Sequence, residues 1–411
     1  MASRTMLYDI EDASVRIFNW RNLRHIDWFL PLVVIILAVI GWATMYSAVR
    51  SSDIVYFRRQ IMFFFIGVAI ALTLACIDYR VLISLAPLMY VGSVVLLLAV
   101  LFLGTRVKGS ERWLVMGPFR VQPSEITKLV MVFSLTWYLV AIGERVRKLP
   151  YFLLAFVITG VPILLILAQP NLGTALSLAP LTLAMLFVAG CRIRHLAVIF
   201  LLGVSGVPLL WWQMKDFDPE LDRPQAVASS DSAVESQPAR RSFFELRYHQ
   251  KKRIYTFLHP EADIRDSGWH TYQSKITIGS GGMSGKGYLQ GTQTRLNYLP
   301  EHRTDFIFSL LAEEHGFVGA MVLLGLFAAL LLRGLMYARD CPEMSGTLLA
   351  TGVVTILGFH VFVNIAITTG LMPVTGLPLP FLSYGGSFYM TTMASIGVLL
   401  SIPIRRGMFI T

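Results

Sequence analysis

The sequence "TDFIFSLLAEEHGFVG", residues 304–319, puts three carboxylates at the start of a long apolar run. Asp305 stands at its beginning, and Glu313 and Glu314 stand inside it. At the centre of a membrane helix an ionised aspartate costs at least about 2.5 kcal/mol. If this run crosses a membrane, each of these side chains therefore needs water, a protein partner or a chemical task.

The composition indicates that the run belongs to a membrane protein. Of the 411 residues, 55% are hydrophobic and 15% are charged, and the mean hydropathy is +0.62, whereas soluble domains carry about 25% charged residues. We therefore predict an all-α polytopic membrane protein with about ten transmembrane helices. The predicted spans are 28–47, 60–77, 82–103, 125–142, 151–168, 172–190, 196–213, 306–332, 347–368 and 384–404.

The basic residues predict the orientation and the division of the chain. If both termini are cytoplasmic, the short inner segments carry more Lys and Arg than the short outer ones, as the positive-inside rule requires. We predict cytoplasmic tails at 1–27 and 405–411, flanking a membrane domain at 28–404. A large extracytoplasmic loop, 214–305, joins helices 7 and 8. Its part 216–240 has the composition of a disordered insertion.

Several other classes of site and partner are not expected. Cys76, Cys191 and Cys341 fall at predicted cytoplasmic ends, where thiols stay reduced, so we predict no disulfide. The basic residues lie in loops and form no recognition motif, so no nucleic-acid partner is expected. The eight histidines show no metal-ligand spacing.

The three carboxylates have both ordinary and functional interpretations. Thr304 or Asp305 is a suitable N-cap for the helix that follows. At 3.6 residues per turn, Glu313 lies about 80° around the helix from Asp305 and Glu314 about 180°. Only Glu313 can share a broad face with Asp305. Either glutamate is a functional candidate, and the alternative is burial against His315 or a basic partner.

A second group of residues lies in 107–128 and opposes the positive-inside trend. Lys108 and Arg112 fall on the predicted outer side, as do Arg58 and Arg59, and such translocated cations suggest an anionic ligand. Trp113 suits either stacking on a sugar or anchoring at the interface. In "QPSEITK", Glu125 and Lys128 form an i,i+3 pair that contributes only about 0.2–0.5 kcal/mol, too little to explain both groups at the membrane edge.

Two further segments are irregular. Prolines and glycines in 370–388 prevent a helix, and irregular backbone at membrane depth occurs only where protein or a cavity surrounds it, so we predict a rigid cavity wall. For His360 and Asn364, in the preceding span, we predict helix–helix hydrogen bonds. The glycine-rich stretch 279–291, which carries Lys286, suits a phosphate cradle, but taken alone a flexible surface loop is favoured.

Together these motifs resemble the SEDS (shape, elongation, division, sporulation) family of bacterial peptidoglycan polymerases. The resemblance covers about 25–407 and favours the elongation member over the division member. It rests on "KGSERW" (108–113), "QPSEITK" (122–128), "QPNLGT" (169–174), "IGSGGMSGKGYLQGTQ" (278–293), "TDFIFSLLAEEHG" (304–316) and "PVTGLPLPFLSYGGS" (373–387). One departure is Asn171, which stands where the family usually has Asp.

The resemblance implies an activity and partners. Such proteins join lipid II, a lipid-linked disaccharide–pentapeptide, to a growing lipid-linked glycan at the outer face of the inner membrane. They work with a class B penicillin-binding protein and the elongation machinery. The family's essential aspartate falls on Asp305, and Glu313, Glu125 and Lys128 fall on supporting positions. The substrate-binding candidates are Trp113, Arg112, Lys108, Arg58, Arg59, Lys286, Ser383 and Gly385.

A mechanism follows from the chemistry of such a reaction. We expect Asp305 to act as the general base on an acceptor hydroxyl. The lipid pyrophosphate leaving group needs positive charge rather than an acid. Lys128 is a further candidate for contacting the pyrophosphate. A divalent cation, Mg²⁺ or Mn²⁺, could also bind it. Two alternatives remain, a flippase for the lipid-linked precursor and a non-catalytic scaffold. The concentration of candidate residues in the outer half of the predicted membrane domain favours the polymerase.

Overall fold

The structure is a computed structural model that describes nine stretches of the chain. They are residues 26–50, 54–103, 105–107, 110–116, 119–169, 171–214, 248–259, 267–295 and 303–406. The predicted insertion 216–240, the C-terminal residues 407–411, Lys108 and nearly all of the predicted N-terminal tail lie outside these residues.

Within the described residues the protein is mainly helical. The helices are α1 Phe29–Val49, α2 Val55–Cys76, α3 Tyr79–Ser84, α4 Ala86–Leu103, α5 Pro123–Ile142, α6 Leu149–Ala168, α7 Leu172–Val188, α8 Ile193–Met214, α9 Tyr248–Leu258, α10 Ser267–Ser280, α11 Thr292–Arg295, α12 Ile307–Asp340, α13 Met344–Thr368 and α14 Gly386–Arg406. A short 3-10 helix, Gly143–Arg147, follows α5. Seven of the described helices are long and apolar enough to cross a membrane, and three shorter apolar helices coincide with the other predicted spans.

A small sheet departs from the all-helical expectation. Strands β1 Thr105–Val107, β2 Ser110–Met116 and β3 Phe119–Val121 form an antiparallel sheet in the order β1-β2-β3. The segment between α4 and α5 thus satisfies its own backbone polar groups by pairing, with Leu114 opposite Val121 in one ladder. Cys76, Cys191 and Cys341 are free.

Close helix packing forms the core around α2 and α14. A Cβ atom at Gly67 would stand 2.7 Å from Cγ of Met393, so the two helices approach closely at this glycine. At the end of α14, Arg405 is buried, donates to the carbonyl oxygens of Ala75 and Cys76, and lies 3.4 Å from Asp78. These bonds satisfy carbonyl groups at the end of α2 that have no partner within the helix.

Helix α12 is broken at Gly316, where φ is 66° and ψ is −164°. This conformation is essentially restricted to glycine, and it leaves main-chain groups without helical partners. The glycine-rich segment 281–287 supplies those partners through four hydrogen bonds. They run from Phe317 N to Gly282 O (2.9 Å), Val318 N to Met283 O (3.1 Å), Lys286 N to Glu313 O (3.0 Å) and Gly287 N to Glu314 O (3.0 Å).

Candidate active site

Asp305 lies in the turn 303–306 immediately before α12 and is partly buried. The helix begins at Ile307, and its N-cap residue is Phe306, which makes no side-chain cap hydrogen bond. The interpretation of Thr304 or Asp305 as the N-cap is therefore wrong. The turn ends before the helix starts, so Asp305 is not part of the helical face predicted for it.

The main chain of this turn is held at three consecutive carbonyl groups. Tyr384 N donates to Arg303 O (2.9 Å), Ser383 Oγ donates to Thr304 O (2.6 Å), and Asn364 Nδ2 donates to Asp305 O (3.0 Å). We call these three donors, Tyr384 N, Ser383 Oγ and Asn364 Nδ2, the carbonyl clamp. Two of them belong to the 370–388 loop and one belongs to α13, so the clamp joins Asp305 to both elements.

The carboxylate of Asp305 faces Gly376 of the same loop. A Cβ atom at position 376 would stand 3.8 Å from Oδ2 of Asp305, and the φ of Gly376 is +75°. Glycine adopts this φ without the strain that other residues incur. The loop therefore passes close to the carboxylate while leaving no side chain of its own at that point.

The 370–388 loop is itself anchored from several helices. Gln60 of α2 donates to Leu382 O (2.9 Å), and Asn364 of α13 donates through the same Nδ2 to Leu377 O (2.8 Å). Gly173 in the first turn of α7 packs under the loop, where a Cβ atom would be 2.7 Å from Thr375 O. These contacts agree with the predicted rigid wall.

Glu125 and Lys128 meet His360 in a buried cluster beneath the loop. Lys128 Nζ lies 2.8 Å from Glu125 Oε2 and 2.7 Å from His360 Nε2. His360 Nδ1 lies 3.2 Å from Pro378 O, so Nδ1 carries the proton and Nε2 accepts from Lys128. The Lys128 side chain is only 2% exposed. The prediction that it contacts a pyrophosphate is not supported, because the protein already surrounds its ammonium group.

Glu313 is held by Lys286 of the glycine-rich segment and by the first residues of α11. Its Oε1 accepts hydrogen bonds from Lys286 Nζ (2.7 Å), Thr292 N (2.8 Å) and Gln293 N (3.1 Å). The Glu313 side chain is fully buried, while that of Lys286 is 26% exposed. The alternative of a buried carboxylate with a basic partner is thus the correct one for Glu313. Lys286 makes this contact, and the amides of Lys286 and Gly287 bond the carbonyls of Glu313 and Glu314 beside the helix break.

Glu314 makes different contacts from those of Glu313. Its Oε1 accepts hydrogen bonds from Ser47 Oγ of α1 and from Leu289 N (3.1 Å). Tyr288, beside Leu289, donates to Ala43 O of the same helix α1 (3.2 Å). Glu314 therefore joins α12, α1 and the glycine-rich segment.

The other substrate-binding candidates have different surroundings. Arg58 and Arg59 are exposed in the first turn of α2, next to the loop anchor Gln60. Arg112 and Trp113 lie in β2, where Trp113 is partly buried and opposite Thr105.

Two of the candidates lie in the 370–388 loop. Ser383 is fully buried, and its hydroxyl accepts from Leu379 N (2.8 Å) besides donating to Thr304 O. It is placed to hold the turn rather than to meet a substrate. Gly385 lies beside α14, where its carbonyl accepts from Tyr389 N (2.8 Å).

Asn171, which replaces the usual Asp, caps α7. Its Oδ1 accepts from Thr174 N at 3.5 Å, and its Nδ2 donates to Ser124 Oγ at 3.2 Å. The side chain is buried beside the residue that precedes Glu125. An amide can donate to Ser124, which an ionised carboxylate cannot do.

The sequence interpretation missed the residues that organise the site. The predicted helix–helix hydrogen bond forms at His360, which bonds Lys128 of α5, but His360 also bonds Pro378 O of the loop. Asn364 instead bonds two main-chain carbonyls, Asp305 O and Leu377 O. Gln60 gave a weak signal, a polar side chain within an apolar run. The described residues contain no group of three or more His, Cys, Asp or Glu side chains placed to hold a metal ion.

Known proteins resemble this chain over nearly its whole length. The family model for FtsW, RodA and SpoVE, described as a cell cycle protein, matches residues 23–406. The peptidoglycan glycosyltransferase MrdB of Escherichia coli (strain K12) is 37% identical over 386 residues, which are 93% of this chain and 95% of the relative.

Two solved structures share the fold. One, described as structural coordination of polymerization and crosslinking by a peptidoglycan synthase complex, has a TM-score of 0.75 and 31% identity and covers 92% of this chain and 97% of that chain. The Rod shape determining protein RodA of Thermus thermophilus has a TM-score of 0.65 and 29% identity, covering 93% of this chain and 97% of that chain.

Proposed function

The chain belongs to the FtsW, RodA and SpoVE family of cell cycle proteins, and from that premise we propose that it is a peptidoglycan glycosyltransferase that polymerises lipid II during cell elongation. The observation that carries the proposal is the clamped turn. It holds a partly buried carboxylate against a loop wall that has no side chain at Gly376. Such a fixed carboxylate suits a general base, which must stand within reach of the proton it removes.

Asp305 is the general base of the proposed mechanism. Its carboxylate takes the proton from an acceptor sugar hydroxyl while that oxygen attacks the anomeric carbon of the donor. The bond from that carbon to the lipid pyrophosphate breaks at the same time, and the pyrophosphate leaves with the bonding electron pair. A single displacement of this kind inverts the anomeric centre.

The leaving group needs positive charge rather than a proton. A pyrophosphate is a good leaving group already, and cations placed where its charge develops stabilise the transition state. Arg58 and Arg59, which are exposed, and Arg112 of β2 are candidates, and Lys108, which lies outside the described residues, is another. Lys128 supports the loop through Glu125 and His360 instead.

The described residues offer few protein ligands to a divalent cation. Asp305 is the carboxylate at the proposed reaction centre, whereas Mg²⁺ takes near-octahedral oxygen coordination, and the described residues supply no cluster of acidic ligands. Any Mg²⁺ or Mn²⁺ would take most of its oxygens from the pyrophosphate and water. No step of the mechanism is derived through such an ion.

The partners and the location follow from the same premise. We propose a multi-pass protein of the bacterial inner membrane with both termini cytoplasmic and with Asp305 at the outer face. A class B penicillin-binding protein would cross-link the strands, and the elongation machinery would direct them. The solved peptidoglycan synthase complex that resembles this chain supports a partner of that kind.

Reconstitution tests the proposed activity against its rivals. The purified chain in liposomes with labelled lipid II, and with moenomycin to silence other polymerases, is expected to make glycan chains. Asp305→Asn is expected to lower the rate by about 10²–10⁴-fold, the usual contribution of a general base. Translocation of lipid II without glycan chains would identify a flippase. If the chain neither polymerised nor translocated lipid II, the scaffold alternative would be favoured. Full activity of Asp305→Asn would exclude it as the base.

A further inference from the structure

We propose that Asn364 and Ser383 are positioning residues that set where the Asp305 carboxylate stands, an inference that rests on the proposed function. Ser383 thereby changes from a predicted substrate contact to a residue that acts through Asp305. Asn364 is assigned a role in positioning Asp305, which its place in an apolar helix did not indicate.

The first observation is the convergence of the clamp on one short turn. Asn364 and Ser383 donate to the carbonyl oxygens of Asp305 and Thr304, and both side chains are fully buried. A turn has no regular hydrogen-bond ladder of its own, so external donors decide its conformation. With the carbonyls of 303, 304 and 305 all held, the peptide planes on the N-terminal side and on the C-terminal side of Asp305 are both fixed.

The second observation is that one amide group joins the turn to the loop wall. Asn364 Nδ2 donates both to Asp305 O (3.0 Å) and to Leu377 O (2.8 Å), and Leu377 follows Gly376 directly. The same nitrogen therefore sets the separation between Asp305 and the glycine that its carboxylate faces. A side chain that only stabilised the fold would not need to contact both sides of this gap.

The third observation is a stability cost at Asn364. Within the described part of the chain, its Oδ1 is buried and has no hydrogen-bond partner. A buried acceptor without a partner costs about 1–3 kcal/mol. The favourable contacts of this amide are therefore the two bonds that its Nδ2 donates.

The expected consequence is a loss of rate without a loss of substrate affinity. Asn364 and Ser383 are buried beneath the turn, so removing their donors moves the carboxylate but leaves the substrate surface in place. A displacement of about 1 Å at a reacting group can cost about 10²-fold in rate. We expect kcat to fall by about 10–100-fold in Asn364→Leu and in Ser383→Ala, with KM for lipid II within about twofold of wild type.

Thr182→Val provides the control. Thr182 is also a buried polar side chain, and its hydroxyl bonds Thr159 Oγ1 of α6 (2.9 Å), a contact between helices that does not involve the turn 303–306 or the 370–388 loop. We expect this variant to lower Tm in detergent about as much as Asn364→Leu while keeping kcat within about twofold. The comparison separates loss of position from loss of stability, since Tm and kcat are both measured for each variant.

The experiment measures kcat, KM and Tm of the full chain reconstituted with lipid II, for wild type and the three variants. The proposal is supported if kcat falls only in the two clamp variants. It is overturned if Thr182→Val loses as much kcat at an equal loss of Tm, if either clamp variant keeps full kcat, or if Ser383→Ala raises KM at constant kcat. A wild-type chain that makes no glycan would instead refute the proposed function itself.

Discussion

Asp305 and Glu313 lie eight residues apart, yet the protein holds them in opposite ways. Asp305 is held through its main chain, by donors to its carbonyl and to those of the two residues before it, and its side chain stays partly accessible. Glu313 is held through its carboxylate, which accepts hydrogen bonds from Lys286 and from Thr292 of α11 and is fully buried. Fixing the backbone leaves a carboxylate suited to chemistry, whereas fixing the carboxylate makes it a structural centre.

Exchanging aspartate and glutamate at positions 305 and 313 tests this difference most directly. Asp305→Glu keeps the charge but moves the carboxylate by about 1 Å, so kcat for lipid II polymerisation is expected to fall about 10²-fold with little change in Tm. Glu313→Asp is expected to lower Tm and to affect kcat far less. Both quantities are measured on the same preparations. Equal effects of the two variants on kcat would contradict the distinction.

The ion pair of Glu313 predicts an unequal response to removing either partner. Lys286→Met leaves a fully buried carboxylate without its cation, a change that costs about 3–5 kcal/mol. Glu313→Gln leaves the lysine, which is 26% exposed and can turn to water, so about 1.5–3 kcal/mol is expected.

Thermal unfolding in detergent should thus rank Lys286→Met below Glu313→Gln. The double variant should recover part of the loss, because neither charge is then left alone. The reverse ranking would show that Lys286 does not compensate the buried charge of Glu313.

Substitution of Gly316 tests whether its backbone conformation is needed for the contact between α12 and the glycine-rich segment. Gly316→Ala puts a side chain on a φ of +66°, within 2.6 Å of Met283 O, and conformational strain alone costs about 1–3 kcal/mol. Gly325→Ala, in the same helix, meets no atom within 4 Å and should raise stability by about 0.5–1 kcal/mol. We expect Tm to fall in Gly316→Ala and to rise in Gly325→Ala, each relative to wild type. An unchanged Tm for Gly316→Ala would contradict the helix break at this glycine.

A third carboxylate, Asp27, extends the comparison to the other end of α12. Burial would raise the pKa of Asp27, but hydrogen bonds from Tyr337, Arg333 and Phe29 N outweigh it and lower the pKa below its usual value. A lowered folded-state pKa means that this contact stabilises the protein above the unfolded pKa, about 3.9, and ceases to do so as pH falls through the folded pKa.

Asp27→Asn should therefore reduce stability at pH 7 by at most about 1 kcal/mol, because the contact is partly exposed. The difference in Tm from wild type should shrink as pH falls below 4. A difference that stayed constant down to pH 3 would argue against an ionised Asp27 in the contact.

The helical fold was predictable because hydrophobic length alone predicts a membrane span. The different directions of Glu313 and Glu314, about 100° apart around the helix, followed from helical geometry, and Glu314 bonds Ser47 of α1. The contacts of the site were not predictable in the same way. Asn364, His360 and Gln60 each bond a main-chain carbonyl distant in sequence, and no local pattern encodes such a partner.

The break at Gly316 also changes where the two glutamates stand relative to the lipid. As one continuous helix, the 34 residues of α12 would be about 51 Å long, well beyond a hydrocarbon thickness of about 30 Å. The piece after the break, 317–340, is about 36 Å long, and its apolar part, 317–332, is about 24 Å long. Because most of the hydrocarbon thickness is then crossed after the break, we expect Glu313 and Glu314 near the membrane boundary, where a carboxylate is far less costly than at the bilayer centre.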